Sequence, residues 1–336
     1  MFFHGGIFVK VLLDILILLV GFVALIKGAD WFVDGSAAVA RRFRVPGVII
    51  GLTIVAMGTS APELAVSTSA AIQGSNEIAI SNVVGSNMFN LLMVLGICAI
   101  IHAVPVDKVI LKRDYPVNLG ITIMLFLFAG LPAILNGDLF SHGMTEDVGT
   151  VSRVCGILFL VIFVGYIFFL IRDAKKNKVE EDEKEEAPMP PWKCILLILI
   201  GIGLIVGGGE AVVYGAKEIA LAAGMSETLV GLTIVALGTS LPELVTSIVA
   251  AHKGQVDMAV GNCIGSNIFN ILLILGVSTT IHPIGVKVAN VWDMIILIAV
   301  SIVTLLFCIN KKRINRGEGI IMVLMYLGSM AFAIVR

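Results

Sequence analysis

"GTSAPEL" at residues 58–64 and "GTSLPEL" at residues 238–244 decide how this chain is read. Each places a carboxylate, Glu63 or Glu243, inside an otherwise apolar run, and the phrase recurs at an offset of 180 residues. Aligned without a gap, residues 51–102 and 231–282 share 28 identities over 52 positions, among them Asn82/Asn262, Gly85/Gly265, Asn90/Asn270 and His102/His282. Apolar composition alone does not produce that density, and ten of the shared residues are polar or charged.

The setting is a membrane. The chain of 336 residues is 58% hydrophobic and 14% charged, where a soluble domain carries about a quarter charged residues. Its mean hydropathy is +1.03. With roughly 20 apolar residues needed per crossing, ten spans are expected, near 11–40, 46–71, 78–102, 114–134, 150–172, 192–220, 226–251, 258–281, 289–309 and 317–335. No strand alternation runs through them, so an all-α membrane protein is expected. The first stretch lacks a basic n-region and Asp14 interrupts it, so a retained anchor is expected rather than a cleaved leader.

Lys and Arg placement orients the chain. With both termini outside, 17 cationic residues fall in inward loops and 4 in outward ones. An odd number of crossings then separates the two copies, which run oppositely through the bilayer. The expected architecture is ten transmembrane helices as two inverted-topology repeats of five, residues 1–171 and 192–336. Residues 172–191, charged and holding Pro188, Pro190 and Pro191, form a cytoplasmic linker. Inverted repeats with a site at their interface near the midplane are the plan of many secondary transporters. The five cysteines show no C-x-x-C spacing and read as packing residues. No nucleotide loop is present, so energy is expected from an ion gradient.

On a helix, Ala56, Ser60, Glu63 and Ser67 share one face. Pro62 has no N–H to return to the carbonyl of Gly58 and disfavours α geometry at Ala61, so a break is expected here. Gly58 and Pro62, with Gly238 and Pro242 in the second copy, mark the two breaks. Unwound backbone at membrane depth survives only against protein or a water-filled cavity. Freed carbonyls, hydroxyls and a carboxylate converging there make a hard-cation site. A second stripe, Asn82, Ser86 and Asn90, is spaced by four, with Gly85 allowing close helix approach. The second copy offers Ala236, Thr239, Ser240, Glu243, Ser247, Asn262, Ser266 and Asn270. Two carboxylates among neutral oxygens suit Ca²⁺, which takes about 6–8 oxygen ligands, and the same oxygens can be shared among Na⁺ ions. Asn87 and Asn267 stand open between ion contact and cross-helix hydrogen bonding. His102 and His282 read as interface residues at span ends. Asp30 and Glu210 read as gating or snorkelling groups.

"GTSAPE…SNVVGSNMFN" and "GTSLPE…GNCIGSNIFN" resemble the paired alpha-repeats of the cation/calcium exchanger superfamily, in the form of its sodium/calcium branch, over the ten-span plan of the whole chain. The resemblance implies a prokaryotic-type antiporter of an inner membrane exchanging Na⁺ for Ca²⁺ by alternating access. The resemblance likewise implies no enzymatic activity, no cofactor and no nucleic-acid partner. The protein's partners would be the bilayer and inorganic cations, and a monomer would suffice. Glu63 and Glu243 would be the central Ca²⁺ ligands, shared with Na⁺. Carbonyls of Ala56, Thr59, Ala236 and Thr239 and hydroxyls of Ser60, Ser86, Ser240 and Ser266 would complete the sites, with Asn90 and Asn270 beside the glutamates. Potassium-dependent relatives carry Asp where this chain has Asn270, which argues against K⁺ co-transport here. The first and sixth helices would slide against the rest. If three Na⁺ exchange for one Ca²⁺, as the family implies, 100 mV contributes roughly 2.3 kcal/mol per cycle. The alternative is a Ca²⁺/H⁺ antiporter in which the same glutamates take protons. A channel or a membrane hydrolase fits less well: inverted copies suit alternating access, and no His or metal cluster accompanies the breaks.

Overall fold

A computed structural model of the chain describes residues 2–74, 77–176, 189–225, 234 and 236–335. Its main helices, in chain order, are α1 (Phe2–Phe43), α2 (Gly47–Thr59), α3 (Ala61–Ile72), α4 (Ile78–Ile101), α5 (Tyr115–Ala129) and α6 (Arg153–Lys176). They continue as α7 (Pro191–Ala222), α8 (Leu241–His252), α9 (Val256–Ile281), α10 (Val288–Ile309) and α11 (Arg316–Val335). Among the described residues seven helices are long and apolar enough to cross a membrane, and the pair α2/α3, bent by 49°, makes an eighth. The expected fourth span is split: α5 is only 15 residues, flanked by a π turn at Ile110–Asp114 and a short helix Leu131–Leu135. Much of the first part of the seventh span, and residues 177–188 of the expected linker, lie outside the described residues. The α6 helix continues through Lys176, and α7 starts at Pro191, where a missing N–H costs nothing.

The all-helical expectation needs one addition. Val104–Pro105 (β1), Asp147–Val151 (β2), Ile284–Lys287 (β3) and Arg313–Ile314 (β4) form two antiparallel ladders. In the first, Val104 faces Ile314; in the second, Val151 faces Ile284. Backbone polar groups leaving the helices must find partners, and here loops of one half find them in loops of the other.

The interior is organised around α4 and α9. From Met258 to Phe269 every residue of α9 is buried. Large apolar side chains such as Val23, Phe168, Leu199 and Leu324 are exposed on the outer helices. A continuous apolar exterior of this kind calls for lipid around it. Glycines bring α2 close to α9: a Cβ at Gly261 would stand 2.6 Å from the Val48 carbonyl oxygen, and one at Gly265 would stand 2.8 Å from Leu52 Cα. The first half's bent helix is thereby pressed onto the second half's polar stripe. The close approach expected at Gly85 has no counterpart among the described residues, where a Cβ would meet nothing within 4 Å.

The longest helices, α1 and α7, run antiparallel in backbone contact. A Cβ added at Gly28 would lie 2.9 Å from the Gly201 carbonyl oxygen, and one at Gly208 would lie 2.8 Å from the Gly21 carbonyl oxygen. Gly21, Gly28 and Gly35 repeat every seven residues, as do Gly201, Gly208 and Gly215, which keeps each row on one helix face. Lys10 and Glu218 close one end of the pair with a 2.7 Å ion pair. Elsewhere Lys253, in the α8–α9 turn, meets Asp30 and Asp34 of α1, each at 2.6 Å.

Candidate cation site

Both repeated phrases break their helices, at a residue one step from the expected one. Ser60 (φ −82°, ψ 8°) and Ser240 (φ −95°, ψ 3°) leave helical geometry, while Ala61 and Leu241 already begin α3 and α8. The reason is the position of the prolines. Pro62 and Pro242 sit in the first turn of the new helix, where no N–H is required, and the departure from helical geometry falls on the serine before it. Glu63 and Glu243 therefore stand in the first turns of α3 and α8, where the helix dipole favours negative charge. Gly58 is needed for close approach: a Cβ there would stand 2.6 Å from the ring of Phe32 on α1. Gly238 likewise abuts Val213 on α7. The α1/α7 pair thus covers both breaks.

The two carboxylates are buried, Glu63 at 1% and Glu243 at 0% exposure. Each is served by the opposite repeat. Ser60 Oγ donates to Glu243 Oε1 at 3.0 Å, and Ser240 Oγ lies 3.3 Å from Glu63 Oε1. Ser240 Oγ is also 3.0 Å from Ser86 Oγ, and Ser266 Oγ is 3.5 Å from Glu243 Oε1. Four of the expected serines and both glutamates therefore meet in one cluster. The threonines act one layer out. Thr59 Oγ1 reaches the Val55 carbonyl and Asn262 Oδ1, both at 3.1 Å, and Thr239 Oγ1 lies 3.5 Å from Asn82 Oδ1. Asn262 in turn donates to Ser247 at 2.9 Å, and Asn82 donates to Ser67 at 3.1 Å. The Ala56 carbonyl accepts the Ser60 N–H at 3.0 Å and lies 3.3 Å from Thr59 Oγ1. Ala236 lies in the turn Ala236–Gly238, just before the second break.

Asn90 and Asn270 are fully buried, one helical turn from Ser86 and Ser266. Both stand at π turns, Phe89–Val94 and Asn270–Leu275, an irregularity that accompanies functional positions. Their amide nitrogens bond Asn267 and Asn87 rather than the glutamates. Glu63 Oε2, Glu243 Oε2, Asn90 Oδ1 and Asn270 Oδ1 are all buried with no hydrogen-bond partner among the described residues. Two carboxylate and two amide oxygens, buried and unpaired, are of the donor type a hard cation takes. Isolated buried charges are otherwise expensive, so a cation or proton is needed to balance them. The glycine rows of α1 and α7 and the bonding of Asn87 with Asn267 were not resolved by spacing within the motifs. The seven-residue recurrence of glycine was the available signal for the first.

Of the other residues read from the sequence, His102 and His282 are extended, exposed caps beyond the ends of α4 and α9, away from the cluster. Asp30 is engaged by Lys253, and Glu210 is exposed.

The chain is similar to known proteins over nearly its whole length. The profile described as sodium/calcium exchanger protein matches residues 13–172 and 193–335. The sodium/calcium exchanger MaX1 of Methanosarcina acetivorans is 33% identical over 347 residues, covering 96% of this chain and 98% of that protein. The inner membrane protein YrbG of Escherichia coli is 32% identical over 321 residues, covering 93% and 94%. A solved structure of the sodium-calcium exchanger NCX_Mj superposes with a TM-score of 0.79 at 32% identity, covering 96% of this chain and 98% of that one. The chain is a multi-pass integral membrane protein and belongs to the sodium/calcium exchanger family of antiporters.

Proposed function

We propose that this protein exchanges Na⁺ for Ca²⁺ by alternating access, with Glu63 and Glu243 holding the ions between two inverted five-helix repeats, residues 1–171 and 192–336. The observation that carries the reading is the reciprocal bonding of each buried carboxylate to the other repeat's serine. That arrangement makes one site from two half-sites, and neither half is complete alone. A Ca²⁺ ion matches the two negative charges; Na⁺ ions sharing the hydroxyl and amide oxygens compete for the same carboxylates. Gradient-driven exchange follows from that competition. The carbonyls of Ala56, Thr59, Ala236 and Thr239 complete the ligand sets.

The α1/α7 pair is the moving part in this reading. It lies across both helix breaks, with Phe32 on Gly58 and Val213 on Gly238, so a shift along its axis uncovers the site toward one side and then the other. Ten spans place both termini outside and the 172–191 linker in the cytoplasm of an inner membrane. The ladders support this topology, because β1 and β4 fall on the inward side and β2 and β3 on the outward side of the same ten-span plan. A monomer contains the entire site.

The test is radioactive calcium uptake into proteoliposomes loaded with Na⁺, against vesicles holding a pH gradient without Na⁺. Uptake that needs Na⁺ and is lost in Glu63→Gln and in Glu243→Gln is the expected result. Uptake driven by the pH gradient alone would place the protein with Ca²⁺/H⁺ antiporters.

A further inference from the structure

Three residues before Asn90 and Asn270 stand two more asparagines, Asn87 and Asn267, on the central helices α4 and α9. All four are buried, none more than 1% exposed. Their bonds obey the pseudo-two-fold relation of the repeats. Asn87 Nδ2 donates to the Asn267 backbone carbonyl at 3.2 Å, and Asn267 Nδ2 donates to the Asn87 carbonyl at 3.3 Å. With their nitrogens so committed, the side-chain oxygens of Asn87 and Asn267 are left as acceptors. Asn87 Oδ1 takes Asn270 Nδ2 at 3.0 Å, and Asn267 Oδ1 takes Asn90 Nδ2 at 3.1 Å.

An amide has one donating end and one accepting end, and a hydrogen bond at the first decides where the second points. Asn90 and Asn270 could otherwise present either end to the neighbouring cluster of Ser86, Ser266 and the glutamates. An –NH₂ group turned toward a cation would repel it; a carbonyl oxygen ligates it. The orphaned atoms of Asn90 and Asn270 are in both cases the oxygens. We propose that Asn87 and Asn267 are positioning residues of the transport site: they hold the amides of Asn90 and Asn270 in the one orientation that offers oxygen to the ion. This rests on the cation-site reading above. It also accounts for an amide at position 270. The acceptor Asn87 Oδ1 demands a donor there, which an ionised aspartate does not have.

The experiment is Ca²⁺ binding to the purified full chain by isothermal titration calorimetry, with thermal unfolding recorded alongside. Asn87→Ala removes the acceptor that orients Asn270, and the expected result is an affinity at least about tenfold weaker. A cycle with Asn270→Asp separates positioning from mere helix contact, because a carboxylate presents oxygen either way round. In the native background the new carboxylate confronts Asn87 Oδ1, and affinity stays level or falls. In the Asn87→Ala background it is free to ligate, and affinity recovers to near the native value. The mirror cycle, Asn267→Ala with Asn90→Asp, is read the same way and serves if the first single variant does not fold. Additive effects in the cycle, meaning the same fold-change from the Asp substitution in both backgrounds, would overturn the proposal, as would native affinity in a folded Asn87→Ala protein. Glu63→Gln is the control for the underlying site. Full binding by that variant would sink the site itself, whereas its loss beside an additive cycle would sink the positioning role alone.

Discussion

Gly208→Ala is the smallest change that tests the backbone contact between α1 and α7. The added Cβ would lie 2.6 Å from the Leu25 amide nitrogen and 2.8 Å from the Gly21 carbonyl oxygen. Those neighbours are backbone and cannot rotate away. Restoring an ordinary 3.4 Å contact requires the helices to part by about 0.8 Å at this point. Such separation opens gaps at the flanking pairs Gly28/Gly201 and Asp14/Gly215. Overpacking of this kind costs about 1–3 kcal/mol. Against it stands the helix-propensity gain of Gly→Ala, up to about 1 kcal/mol. Gly203→Ala isolates that gain, because a Cβ there meets nothing within 4 Å among the described residues. Thermal unfolding of both variants in one detergent should show Gly203→Ala at or above the parent and Gly208→Ala below it by several degrees. The gap between the variants is the measure of the contact. Equal unfolding temperatures would refute backbone contact between these helices, and with it the reason for seven-residue glycine spacing.

Three other outcomes are expected. Phe32→Ala removes a fully buried ring lying on Gly58 and should lower stability by about 3–5 kcal/mol, read by the same unfolding assay; a neutral effect would show that α1 does not cover the break. Burial opposes the charge of Lys253, but its bonds to Asp30 and Asp34 outweigh burial and raise its pKa above the ordinary lysine value. A group so raised contributes below its unfolded pKa of about 10.4 and loses that contribution only as pH climbs through the folded value. Lys253→Met should therefore destabilise equally at pH 6 and pH 9, by no more than about 1 kcal/mol for a partly exposed pair; a deficit confined to one of the two would contradict the ion pairing. Finally, with an amide at position 270, Na⁺-driven Ca²⁺ uptake should proceed at full rate when K⁺ is replaced by choline, and a K⁺ requirement would count against that reading of Asn270.

Much of this molecule is written locally. Pro62 and Pro242 announce the helix breaks, and the polar stripes of α4 and α9 can be read from four-residue spacing. The exact break residue cannot, because whether Pro62 disrupts Ala61 or instead opens a new helix depends on where the following turn packs. The bonds between Ser60 and Glu243, and between Asn87 and Asn267, join residues 183 and 180 positions apart. Spacing within either motif is silent about them; only the symmetry of the duplicated halves hints at the pairing. The strands of the two ladders are too short and too mixed in composition to signal themselves, since each exists through its partner in the other half.

Those ladders bear on how the molecule is made. Because β1 closes on β4 and β2 on β3, a ribosome that has passed residue 171 has produced two strands with open edges and half of the candidate site. Two separately expressed fragments, divided between residues 177 and 188, would carry the matching edges of both ladders. They should therefore find one another in a single register and recover transport as a noncovalent pair.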